Sequence, residues 1–260
     1  MDVPSACLRR RVPLCCDYLQ LKLLIHDSDI TDRDSVRTSY QNISESMPPI
    51  AGVAQGAMVL EDTMFFDLDL PRFEKVLRPK VQGTIVLDEL FSKNELDFMI
   101  LFSSMASITG NPGQVAYNAA NAFMSSLASQ RRSRGLATHA INIGVIVGNG
   151  YVTRELNHDQ QSYLHRTGHN WMSEHDLHEI LAEGILSCLQ GDISSGLCSG
   201  LRIDDDHSKK WYNNPMFQHL VLKSGSLETS DSLGKSARSL KMRLLHALSR
   251  SDVMGVLEGI

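Results

Sequence analysis

One stretch, Met99 to Phe123 (MILFSSMASITGNPGQVAYNAANAF), limits the possible folds more than any other. It opens within an unbroken apolar run, Phe98 to Phe102, the pattern of a strand buried on both faces, as in a parallel sheet. The run ends on two hydroxyls, Ser103 and Ser104. A loop containing glycine and proline follows from Gly110 to Gly113, and a helix of small residues starts near Val115. A buried strand, a loop and a helix in this order form a unit of an α/β fold. Open α/β sheets bind ligands at the carboxyl ends of such strands.

Three side chains in the stretch carry chemistry. Ser104, Tyr117 and Asn121 are thirteen and then four residues apart, so Tyr117 and Asn121 share one helical face. A phenol titrates near about 10 and is a poor proton donor at neutral pH. A nearby cation and a hydroxyl hydrogen bond would favour its phenolate and let it exchange a proton with a carbonyl oxygen. Lys80, in RPKVQG, is the candidate cation. Each residue alone has a plainer explanation: a tyrosine packs, a serine pair caps a helix, and a lysine lies at the surface beside a helix start.

At these residues the chain resembles the ketoreductase domain of polyketide synthases, a branch of the short-chain dehydrogenase/reductase superfamily. The superfamily pattern is Tyr-x-x-x-Lys. Here Asn121 holds the fourth position after Tyr117 and the lysine is at Lys80, an exchange found in these ketoreductases. GVAQGAMVLED, LRPKVQGT, LFSSMASITGNPGQVAYNAANAF and RRSRGL are most similar to fungal highly reducing synthases, including those fused to peptide synthetases. The resemblance runs from about Leu21 to Leu220. It implies NADPH-dependent reduction of a β-ketoacyl thioester in secondary metabolite biosynthesis. Tyr117 would protonate the forming alkoxide, Ser104 would bond the carbonyl oxygen, and Lys80 and Asn121 would tune Tyr117. It places Asp29 and Ile30 beside the adenine, Gln55, Gly56 and Ala57 along the nicotinamide ribose and phosphates, and Gly144 on the nicotinamide side. Leu60-Glu61-Asp62 falls where many relatives carry a Leu-Asp-Asp fingerprint of stereochemistry, and residues 151 to 172 fall where the family has a lid. The implied partners are an acyl carrier domain, bearing the substrate on its phosphopantetheine arm, and other synthase domains.

Composition narrows the rest. A chain of 260 residues allows one α/β domain with appendages. A net charge of −5 gives no footprint for nucleic acid, and no apolar run reaches the length of a membrane span. The first sixteen residues, MDVPSACLRRRVPLCC, lack the apolar core of a signal peptide. Five cysteines without metal-ligand spacing suit a reduced, cytoplasmic compartment. His165 and His169 are one turn apart but have no third ligand, so no metal site is expected.

Read in order, residues 1–20 are atypical. Neither G-x-G-x-x-G nor T-G-x-x-x-G-x-G occurs, so the turn that would hold a dinucleotide pyrophosphate is not in the sequence. The expectation is a Rossmann-like parallel sheet lacking its first βαβ half, N-terminally truncated, over residues 21–220. LKLLIH reads as a strand, and PIAGVAQGAM as a buried strand running into a loop of small residues, Gln55 to Ala57. Thr31 and Asp34 approximate a capping box for a helix to about Ser44. Pro71 to Phe91 reads as helical, broken near Arg78-Pro79, with Lys80 starting a new helix. ATHAINIGVIVG reads as one central strand, Ser173 opens a helix to about Leu189, and SGLCSGLRI is the last strand. Residues 221–239 read as a linker. The Asp231-Ser232-Leu233 in it imitates a carrier site but has no folded element before it. Residues 240–260 are amphipathic and resemble the first helix of an acyl carrier. Two functions follow: a reductase piece, or a catalytically inactive remnant or docking piece of a synthase. A tyrosine-dependent epimerase is disfavoured by Asn121 standing where it needs lysine.

Overall fold

The computed structural model describes residues 23–93, 96–148, 170–190, 196–201 and 215–217. Two compact units divide them: one ends at Ile143 and includes His175–Ser199, and the other comprises Gly144–Glu174 and the chain from Gly200 onward.

In the first unit, helix α1 (Arg33–Ser46) starts on Asp32, whose carboxylate accepts from Asp34 N at 3.0 Å and Ser35 N at 3.5 Å. A charged cap at a helix N-terminus satisfies open N–H groups and meets the positive end of the dipole. Thr31 is therefore not the cap. Its N–H and hydroxyl both donate to Asp29 Oδ1, each at 2.8 Å, in a turn just before the helix. Strand β1 (Gly52–Gln55) follows, then a 3-10 turn at Phe65–Asp67 and helix α2 (Leu70–Leu90).

Helix α2 does not break at Arg78-Pro79. It runs through Pro79, and Lys80 lies in its interior. Proline removes one helix N–H, yet burial of Val76, Lys80, Gly83, Thr84 and Leu87 along one face holds the helix to the sheet. Gln55 Nε2 donates to Pro79 O at 2.8 Å, and Thr84 Oγ1 donates to Lys80 O, so side chains brace the carbonyls around the proline.

Strand β2 (Phe98–Ser104), helix α4 (Val115–Ser133) and strand β3 (His139–Ile143) fall where the sequence places them, and a short helix, α3 (Ala106–Thr109), lies before α4 without having been expected. Helix α5 (Glu174–Gln190) also agrees with expectation, and strand β6 (Leu197–Cys198) is the last among the described residues. The sheet is parallel, in the order β1-β2-β3-β6, with Gly52 opposite Phe98, Ile100 opposite His139 and Ile141 opposite Leu197.

Met99, Leu101 and Ala140 turn to one face, against Val86 and Leu87 of α2 and Met124 and Ala128 of α4. Ile100 and Ile141 turn to the other, where a Cβ on Gly184 of α5 would come within 3.0 Å of Ile141 Cδ1. Helices on both faces explain why the Phe98–Phe102 run carries no alternation.

Two further expectations fail. The described part of LKLLIH, from Leu23, forms no strand and is exposed, with Ile25 at 53%. β1 is the edge strand among the described residues, and without a ladder opposite it a strand-like composition stays open chain. ATHAINIGVIVG is two strands, not one: past Ile143 the chain enters the second unit, where β4 (Val145–Ile146) pairs with β5 (Trp171–Met172) and Val147 N–H donates to Met172 O at 2.9 Å. The expected lid up to residue 169, His165 and His169, the 221–239 linker and the 240–260 helix lie outside the described residues. No described helix is long and apolar enough to cross a membrane.

Candidate active site

The carboxyl end of β2 and the first turns of α4 bring together four of the expected residues. Period-two alternation points Ser103 and Ser104 to opposite sides. Ser103 is buried and its hydroxyl donates to Asn121 O at 3.2 Å. Ser104 is half-buried, and its side-chain oxygen accepts from Ala106 N, the first residue of α3, at 3.2 Å. Tyr117 is half-buried in the first turn of α4. One turn later Asn121 is fully buried; its Nδ2 donates to Tyr117 O at 2.8 Å, and its Oδ1 has no hydrogen-bond partner.

Lys80 reaches in from α2. It is 2% exposed, and its Nζ donates to Phe102 O at 2.7 Å, lies 3.7 Å from Met124 Sδ and stands 5.6 Å from the centre of the Tyr117 ring. The lysine approaches the face of the phenol ring, a cation–π placement. Lys80, Ser104, Tyr117 and Asn121 thus converge.

The electrostatics differ from expectation in one respect. Burial pushes the Tyr117 phenol above its ordinary value; hydrogen bonding from Ser104 and then Asn121 lowers it, and the charge of Asp62 raises it. The neutral phenol is favoured, the form that can give up a proton. Burial also lowers the Lys80 ammonium to about 8.

The expected cofactor residues divide. Gly56 is exposed at the end of β1, with bare backbone beside Phe102, from which a Cβ would lie 3.2 Å. Gln55 is turned inward: its amide holds Pro79 O, and its Oε1 accepts from Ala57 N at 2.7 Å. Ile30 is packed into a notch of α2, where a Cβ on Gly83 would be 2.8 Å from Ile30 Cγ2. Asp29 is exposed and, with Thr31, Lys75 and Arg78, borders a surface hollow of about 410 Å³. The Thr31 N–H, then its hydroxyl, hold the Asp29 carboxyl below the usual range. Gly144 belongs to the second unit.

A nicotinamide end fits the residues present, because Gly56 offers open backbone, Lys80 an ammonium and Asn121 an unpaired acceptor. Among the described residues no cluster of three or more His, Cys, Asp or Glu could hold a metal. Asp62 and Gln114, joined beside Tyr117, carry no motif in Gln114's case and only a partial fingerprint in Asp62's.

The fold and this cluster define a Rossmann-like α/β protein of the short-chain dehydrogenase/reductase type. The family described as "KR domain" matches residues 15–148. A polyketide synthase-nonribosomal peptide synthetase of Aspergillus clavatus is 50% identical over 88% of the chain, and one of Pyricularia grisea is 47% identical over 93%. The chain spans about 6% of the length of each of these relatives. An A-type ketoreductase structure from a modular polyketide synthase aligns with a TM-score of 0.64 at 27% identity, over 78% of this chain and 40% of that one. A ketoreductase domain from the bacillaene assembly line gives 0.64 at 28% identity, over 72% and 45%. The chain belongs to the ketoreductase (KR) domain family. Such domains depend on a nicotinamide dinucleotide.

Proposed function

We propose that the chain is a section of a fungal polyketide synthase that reduces β-ketoacyl thioesters to β-hydroxyacyl thioesters with NADPH. The observation that carries this reading is the approach of Lys80 to the Tyr117 ring at the end of the strand that bears Ser104. The bound cofactor supplies the hydride. Tyr117, held neutral by its burial, gives its proton to the forming alkoxide, and Ser104 donates to the same oxygen. Asn121 Oδ1 and Lys80 take part in returning the proton to Tyr117. The substrate arrives on the phosphopantetheine arm of an acyl carrier domain, with other synthase domains as neighbours. The full chain is tested by NADPH titration in a calorimeter and by loss of NADPH absorbance with a β-ketoacyl N-acetylcysteamine thioester. Saturable binding and substrate-dependent oxidation are expected; no binding at millimolar cofactor would overturn the reading.

A further inference from the structure

Two loops meet beside Tyr117, and the residues that join them are not among the four that converge. Gln114 Nε2 donates to both carboxylate oxygens of Asp62, at 3.1 and 3.2 Å. Gln114 Oε1 accepts from Asn111 Nδ2 at 2.9 Å, so both ends of the amide are engaged. Thr63 N–H donates to Gly113 O at 2.8 Å, and Gly113 takes a φ of +78° at this close crossing. Next to Asp62, Glu61 is held by Lys75 at 2.7 Å and Arg72 at 3.5 Å, both on α2. The Leu60–Thr63 loop is thereby tied to α2 on one side and to the start of α4 on the other. Gln114 is the residue that opens α4, three before Tyr117, and has no side-chain capping role there. Any shift at Gln114 passes straight into the turn that carries the phenol.

We propose that Asp62 and Gln114 are a positioning pair that locks the Leu60–Thr63 loop to the first turn of α4 and so fixes the Tyr117 hydroxyl for proton donation. The inference rests on the reductase reading for its last clause, while the lock itself does not. Neither residue needs to touch the substrate.

A charge exchange tests it in the full chain. Gln114→Glu sets two carboxylates against each other and breaks the pair. A glutamate at a helix N-terminus is otherwise favourable, so the variant keeps its helix. The double variant Asp62→Asn with Gln114→Glu restores the bond with donor and acceptor reversed. Asp62→Asn alone keeps an acceptor for Gln114. Amide hydrogen exchange at Thr63 should be about tenfold faster in Gln114→Glu and return close to wild type in the double variant. With a β-ketoacyl N-acetylcysteamine thioester, kcat should drop about tenfold in Gln114→Glu with KM nearly unchanged, and recover in the double variant. Unchanged exchange in Gln114→Glu, or a double variant no better than the single, would overturn the lock. Restored exchange without restored kcat would overturn its positioning role. Failure of wild type itself to reduce the thioester would instead overturn the reductase reading, with the exchange result still deciding the lock.

Discussion

Lys80 is a residue at which chemistry and stability oppose each other. Its ammonium is buried in α2 and its hydrogen-bond partners are neutral: Phe102 O and Met124 Sδ. Burial lowers its pKa from the ordinary 10.5 to about 8. A base whose folded pKa is depressed binds its proton less readily in the folded chain than in the unfolded one. The penalty is complete below pH 8 and disappears as pH rises through 10.5, the unfolded value. The shift corresponds to about 3 kcal/mol, from which about 1 is deducted for the bond to Phe102 O. Lys80→Met should therefore stabilise the chain by about 2 kcal/mol at pH 7 in urea denaturation, the excess shrinking between pH 8 and 10.5. The Cys188 and Cys198 thiols, pushed up by partial burial, titrate in both proteins and cancel in the difference. The same substitution should reduce thioester turnover. Tyr117→Phe should reduce it by about 10²–10⁴, the range for losing a general acid, with little change in stability; a loss under tenfold would remove Tyr117 from that role.

Helices α2 and α4 are held to each other and to the sheet by a second buried cation. Arg131, 1% exposed near the end of α4, donates to Asp88 of α2, to Phe91 O at 3.1 Å and to Thr138 Oγ1 at 2.8 Å. Arg134 adds a bond to Asp88 at 3.3 Å. Breaking such a pair leaves a carboxylate and a carbonyl without their donor. Arg131→Met should cost about 3 kcal/mol, read by urea denaturation, and a loss below about 1 would show that Arg134 takes over. In the sequence Arg131 is one of three basic residues in RRSR, and nothing local marks it as buried. Pro79 misleads for a related reason. Its missing N–H is visible in the sequence, but the inward amide of Gln55 and the burial of the α2 face, which carry the helix through, are tertiary. By contrast, the i, i+4 placement of Tyr117 and Asn121 needs only the helical repeat, and it is legible from sequence alone.

The sheet shows where local reading stops. Phe98–Phe102 declares itself, since a run buried on both faces needs no alternation to be recognised. Leu23–Ile25 is also an apolar run, but a strand also needs an edge to pair with, and that depends on elements far away in the chain. The break at Gly144 is likewise set by which unit the chain enters, so a continuous apolar pattern divides between two sheets. This arrangement predicts a gradient of amide protection. β2 and β3 are flanked by strands on both sides, and Met99, Ile100, Leu101, Ala140 and Ile141 are fully buried. Their amides should open only with global unfolding. Among the described residues β1 is paired on one side only, and its amides should exchange at least about tenfold faster. Residues from Leu23 to His26 should exchange at nearly the rate of unfolded chain. Hydrogen exchange read by mass spectrometry resolves these three segments in one experiment. Protection over Leu23–His26 equal to that of β1 would mean that this segment does pair in a sheet and that β1 is not its edge.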